Sequence, residues 1–167
     1  MAKKKLAFSE GDWFNVPLRR GKHAIGLVAR KDRGGDAFLG YYFPPGDPDE
    51  TAEQMAARLT PSNAVLICAS GTYGLRHELW RMLGSATWRR SDWPIPVFQH
   101  TNAFGQTFLE TYGDEDVLLP IRVQFRVVDP RIPAHVVKGG LLDAGAVEDA
   151  LWDRLRSQLL GPRSSST

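Results

Sequence analysis

Gly11-Asp12-Trp13-Phe14-Asn15-Val16-Pro17-Leu18, followed after a turn by His23-Ala24-Ile25-Gly26-Leu27-Val28-Ala29-Arg30, decides the fold. In the first stretch Phe14, Val16 and Leu18 alternate onto one face, which is the period of a strand. Pro17 cannot donate to a ladder, so this strand runs at an edge or ends there. Arg19-Arg20-Gly21-Lys22 reads as a turn. The second stretch is apolar on both faces, with Ala24, Gly26 and Val28 on one and Ile25, Leu27 and Ala29 on the other. A glycine inside such a strand marks a bulge or a tight bend. Asp32-Arg33-Gly34-Gly35-Asp36 turns the chain again, into an aromatic third strand over 37–43. Three short strands in a meander predict a bent, antiparallel, SH3-like sheet.

Outward from that sheet the pattern changes. Pro44-Pro45-Gly46 breaks the strand, and Asp47-Pro48-Asp49-Glu50 reads as a helix start, with Asp47 as cap and Pro48 in the first turn. Ala52, Met55, Ala56 and Leu59 then form one apolar stripe, which Thr60-Pro61 ends. Val65-Leu66-Ile67-Cys68-Ala69 predicts a central strand buried on both faces. Leu75 to Leu83 fits a short helix or a strand equally well. Trp93 to Phe98 reads as extended, and 104–112 and 120–127 alternate as strands, the latter with Ile121, Val123, Phe125 and Val127 inward. From Asp143 to Leu160, Val147, Leu151, Leu155 and Leu159 line one face of a helix. The expectation is an α+β, mainly β chain. It has a bent N-terminal sheet, an early helix and a C-terminal helix packed on the sheet. Residues 1–161 form one globular domain and 162–167 a disordered tail.

Composition bounds the function. The 167 residues are 43% apolar and 24% charged, ordinary for a globular protein. No run of 18 apolar residues is present, and no apolar stretch follows the basic Lys3-Lys4-Lys5, so neither a membrane helix nor a secretory signal is expected. One cysteine, Cys68, excludes an internal disulfide and a cysteine-based zinc site, and a reducing, cytoplasmic setting is the simplest reading. Charge is uneven. Residues 1–33 carry nine basic and three acidic residues, +6, and the remainder twelve and sixteen, −4.

Motifs for chemistry are sparse. His23, His77, His100 and His135 lack the local spacing of metal ligands, and Cys68 sits in an apolar run that suits a buried structural thiol. Gly34-Gly35 and Gly139-Gly140 are turns rather than phosphate cradles, and Asp114-Glu115-Asp116 lacks the pattern of a calcium loop. No catalytic residue, metal or cofactor is assigned, and a hydrolase is a distant third reading. Two binding readings remain. In one, Trp13 and Tyr42 with the acidic cluster Asp47, Asp49, Glu50 and Glu53 contact a protein partner. In the other, Lys22, Arg30 and Arg33 contact nucleic acid beside stacking aromatics.

The opening blocks resemble those of the immunity protein 26 family, bacterial proteins encoded beside polymorphic toxins. Gly11-Asp12-Trp13-Phe14-Asn15-Val16-Pro17-Leu18 is similar to that family's Gly-Asp-x-Phe-x-x-Pro-Leu, and Ala24-Ile25-Gly26-Leu27-Val28 to its Ala-x-Gly-x-Val. Here His23 stands at a usual Tyr and Ile25 at a frequent Phe. Trp80-Arg81-Met82-Leu83-Gly84, Trp93 to Phe98, and Val147-Glu148 with Leu151 resemble later blocks. The resemblance implies a non-enzymatic cytoplasmic protein that binds a cognate toxin, in this family often a nuclease, and blocks its active site. The partner is then a protein, with no membrane and nucleic acid disfavoured. The Asp47 to Glu53 acids would occupy a basic cleft in it.

Overall fold

A computed structural model of the chain describes residues 7–125 and 137–161. The basic residues Lys3 to Lys5, the strand end at Arg126 and Val127, His135 and the 162–167 tail lie outside the described residues.

The elements in order are β1 (Asp12–Pro17), β2 (His23–Lys31), β3 (Ala37–Phe43), α1 (Ala52–Arg58), β4 (Leu66–Gly71), α2 (Tyr73–Arg76) and β5 (Arg81–Ser85). They continue with β6 (Phe98–Thr101), β7 (Thr107–Gly113), β8 (Asp116–Phe125), β9 (Val137–Leu142) and α3 (Ala144–Leu160). The strands form two sheets, one of six in the order β5-β1-β2-β3-β4-β9 and one of three in the order β6-β7-β8. The fold is α+β and mainly β, as the sequence implies. The expected meander is present, but as the middle of the larger sheet. Its neighbours are all antiparallel except β4 and β9, which run parallel.

β2 and β3 have no solvent face. Residues 24–30 and 37–43 are all buried. On one side Phe14, Val16, Ala24, Val28, Phe38, Tyr42, Leu66 and Cys68 meet Trp80 and the α3 residues Val147, Leu151 and Leu155. On the other side Trp13, Ile25, Leu27, Leu39, Tyr41 and Phe43 meet Ala52, Met55 and Leu59 of α1, Trp93, and Phe98 and Val117 of the small sheet. The sheet is thus a middle layer with a helix on one face and a helix plus a second sheet on the other.

Gly26 makes this packing possible. A Cβ built there would stand 2.3 Å from the Phe14 ring. With that space left open, Phe14 lies parallel to Trp80, centroids 5.5 Å apart and planes within 1°. Gly74 likewise admits Trp80, since a Cβ there would stand 2.5 Å from the indole.

Several local expectations shift. α1 starts at Ala52, not at Pro48. Its cap is Thr51, whose hydroxyl accepts from the Gln54 amide while the Gln54 side chain accepts from the Thr51 amide. Asp47 instead caps a turn, its Oδ1 accepting from the Asp49 amide. The ambiguous stretch near Leu75 to Leu83 resolves into both elements, the short helix α2 and then strand β5. Val123 was expected inward and is 47% exposed. α3 begins where its cap Asp143 accepts from the Ala146 amide.

The buried phenols titrate late. Burial pushes the Tyr41 hydroxyl up to about 12, against a smaller pull downward from the Arg30 charge. Burial raises Tyr42 well above its ordinary value, and burial with the neighbouring Glu110 raises Tyr112. The folded chain keeps these protons where the unfolded chain, with phenols near 10, loses them. Their stabilising contribution is therefore whole below pH 10 and is lost as pH climbs towards 12. Phenolate absorbance followed together with far-ultraviolet dichroism should show these tyrosines ionising only as the chain unfolds; ionisation well before unfolding would contradict the burial.

Gly26→Ala should lower stability by roughly 1–3 kcal/mol through overpacking against Phe14. Gly145→Ala, in the first turn of α3 with no close backbone neighbour, should be neutral or mildly stabilising. Urea unfolding midpoints of the two variants check the contrast.

Candidate functional site

The segment from Pro44 to Arg58 carries four acids and one base. A turn and an ion pair set its shape. The Asp47 carbonyl accepts from the Glu50 amide at 3.0 Å, which closes the loop ahead of α1. Arg58, in the last turn of α1, reaches back to Glu50 with two hydrogen bonds, Nε to Oε1 at 2.8 Å and Nη2 to Oε2 at 2.7 Å. This fork lies over Gly46, where a Cβ would collide with the Glu50 carboxylate. Hydrogen bonding to Glu50 raises the Arg58 pKa further above its ordinary value. Glu50 is therefore a clasp that holds the loop, with its side chain only 10% exposed.

The other three acids of the cluster, Asp47, Asp49 and Glu53, are exposed. The loop forms a ridge. On one side lies a cleft of about 250 Å³ walled by Asn15 and His23 of the main sheet, Arg81 and Leu83 of β5, Met55 of α1, and Asp47 with Glu50. On the other lies a broad, open hollow bounded by Pro45, Asp49, Gln54 and Arg58. Asp47 and Glu50 border both. Asn15, His23 and Arg81 were not singled out as contacts from the sequence. Asn15 lies inside β1, and His23 and Arg81 open β2 and β5; nothing in their local pattern marks them.

The aromatic candidates are corrected. Trp13 is 1% exposed and Tyr42 fully buried. Trp13 packs against Phe43 and Trp93, and the Tyr42 hydroxyl bonds Ser70 inside the core. Neither reaches a partner's surface. β3 is buried on both faces and β1 lies between β5 and β2 in the sheet, so each aromatic has a core to enter.

Arg30 is corrected too. It is 3% exposed. Its Nε donates to Asp114 at 2.7 Å, its Nη1 to the Ala29 carbonyl at 2.7 Å and its Nη2 to the Arg90 carbonyl at 3.0 Å. Its guanidinium sits over the Trp88 ring, 5.6 Å from the centroid. Arg90 continues the network to Glu10, at 3.0 Å, and Glu115, at 2.6 Å. The cluster ties the β7–β8 turn to the main sheet. Lys22 and Arg33 remain exposed, but at opposite ends of the nine-residue strand β2, about 25 Å of extended chain. With Arg30 committed and Trp13 and Tyr42 buried, the candidates Lys22, Arg30 and Arg33 do not come together with them as a stacking platform.

Among the described residues no group of three or more His, Cys, Asp or Glu is placed to hold a metal ion. Cys68 is buried. His77 lies on the surface, stacked on Tyr73 with ring centroids 4.1 Å apart. No helix among the described residues is long and apolar enough to cross a membrane.

What the fold defines is a mainly β, α+β protein, and what its surface offers is a charged ridge between two hollows. The sequence pattern of the family described as immunity protein 26 matches residues 9–108, from just before β1 into β7, and the chain belongs to that family. No curated protein and no solved structure matches the chain significantly. Membership supports an immunity-protein role and implies a toxin as partner. Within the blocks that carry the likeness, Phe14, Gly26, Trp80 and Trp93 are all buried.

Arg30→Ala should cost about 2–4 kcal/mol, because it strips the β7–β8 turn of its anchor and leaves carbonyls unpaired. Arg89→Ala, which breaks only the exposed pair with Asp92, should stay within about 0.5 kcal/mol. Chemical denaturation of the two variants measures the difference.

Proposed function

We propose that this protein is the antidote of a bacterial toxin, a stoichiometric inhibitor that binds the toxin domain in the cytoplasm and blocks its active site. The observation that carries the reading is the family match over residues 9–108. The surface supports it. Asp47, Asp49 and Glu53 stand exposed on one ridge, and the one cation of that segment is held by Glu50. Carboxylates so placed present negative charge to a basic cleft, as a nuclease active site offers, and they speed encounter with it. No bond is made or broken by the inhibitor, so inhibition saturates when the two chains are equimolar.

The experiment is co-expression with a toxin domain encoded beside this protein. Rescue of growth, and a complex of the two purified chains whose inhibition titration breaks at equal amounts, is the expected outcome. Failure to rescue, or inhibition by far less than one equivalent, overturns the reading.

A further inference from the structure

β6 and β7 form a hairpin whose base is buried and whose tip is not. Phe98 and Leu109 at the base are 3% and 7% exposed. Thr101 and Thr107 are the last paired residues, and 102–106 join them. Asn102 fixes this loop. Its Oδ1 accepts from the Phe104 and Gln106 amides, both at 3.0 Å, and its Nδ2 donates to Gln106 Oε1 at 2.9 Å. Its main chain closes the turn, the amide donating to the Gln106 carbonyl and the carbonyl accepting from the Gly105 amide. Gly105 has φ 75°, a conformation that residues with a side chain resist.

On this fixed loop Phe104 is 89% exposed, the most exposed large apolar side chain among the described residues; Tyr73 follows at 59%. Single apolar residues on a surface are ordinary. Phe104 differs because its stretch of chain is uncharged as well. No Asp, Glu, Lys or Arg lies between Asp92 and Glu110, in a chain that is 24% charged. An exposed aromatic ring without charged sequence neighbours has the composition of an interface centre.

We propose that this hairpin tip inserts Phe104 into an apolar pocket of the toxin. This rests on the antidote reading and adds a contact surface to it. Shape and charge select the occupant. A ring at the end of a two-stranded hairpin is convex, and enzyme clefts are concave and mostly apolar. A second copy of this chain is a poorer fit. The hollows beside the ridge are walled by Asp47 and Glu50, and the apolar cavity lined by Leu39, Phe98 and Val117 holds only about 10 Å³. A membrane is a poorer fit too, since the tip offers no Lys or Arg to anionic headgroups and one ring buries little in lipid. The locked loop leaves little to order on binding, so the apolar contact is felt in affinity.

The test uses the full chain and the toxin domain encoded beside it. Affinity is measured for Phe104→Ala at low and at high salt, together with the urea midpoint of the free chain. The variant should bind about thirtyfold more weakly at both salt levels. Its midpoint should not move, because the ring stands outside the core. A complex of unchanged affinity overturns the inference while the antidote reading stands. A loss seen only at low salt overturns the apolar pocket. A dimer of the free chain that Phe104→Ala dissolves, or binding to phosphatidylcholine–phosphatidylglycerol vesicles that it abolishes, overturns the toxin as occupant. Absence of any complex removes the antidote reading and this inference with it.

Discussion

Burial of β2 and β3 on both faces is the constraint from which the rest of the architecture follows. A strand with no solvent face must be covered twice, and each cover must bring its own apolar surface. α3 covers one side through Val147, Leu151 and Leu155. α1 and the small sheet share the other through Met55, Phe98 and Val117. Aromatic rings fill the space next to the sheet, and their packing depends on residues without side chains. Phe14 lies flat against Trp80 only because Gly26 is empty above it. Interiors packed this closely leave little slack, so one added methyl group is felt.

The two covers are fastened differently. α3 is anchored by burial and by a hydrogen bond from the Trp80 indole to Glu148 at 2.8 Å. The small sheet depends in addition on charge, through Arg30 to Asp114 and Arg90 to Glu10 and Glu115. Arg30 is nearly inaccessible, so removing its partners strands a charge in a poorly hydrated place. The Arg90 pairs are more open to water and contribute less each. A charged clasp suits a small sheet, which has little apolar face to hold it down.

Where the sequence was legible, a single period was present. The alternation of 12–18 and the four-residue spacing of Val147, Leu151, Leu155 and Leu159 each mark an element that the structure has. The strands around β2 were legible as strands for the same reason. Their aromatics were not legible as core, because both phases of a doubly buried strand are apolar and the pattern cannot say which ring meets solvent. Tyr42 was misread on that account, and Trp13 because its phase of β1 also carries Asn15, so its packing against Phe43 and Trp93 is not visible in the pattern. Arg30 was misread because its partner Asp114 lies 84 residues away, and the register slip between Val28 and Arg30 sits at its own position. α1 was legible through its stripe but not its start, since Asp47-Pro48 and Thr51 both make good caps and only the loop's closure chooses between them. The acidic cluster was legible as a group. Its division into one clasp, Glu50, and three exposed carboxylates depends on Arg58 folding back over Gly46, which spacing alone does not reveal.

That division separates the residue that holds the loop from the residues that stand exposed on it. The residues that carry the family likeness, Phe14, Gly26, Trp80 and Trp93, are inside, and substituting them is paid in packing. Asp47, Asp49 and Glu53 belong to no core cluster, and surface changes of this kind shift stability by no more than about 0.5 kcal/mol. Glu50 is the exception on the ridge, because Arg58 and the loop lean on it. A ridge built this way can exchange its exposed charges, and so admit one partner and repel another, while the clasp beneath keeps its shape. The same short loop and helix thus carry exposed carboxylates outward and send Ala52, Met55 and Leu59 into the core.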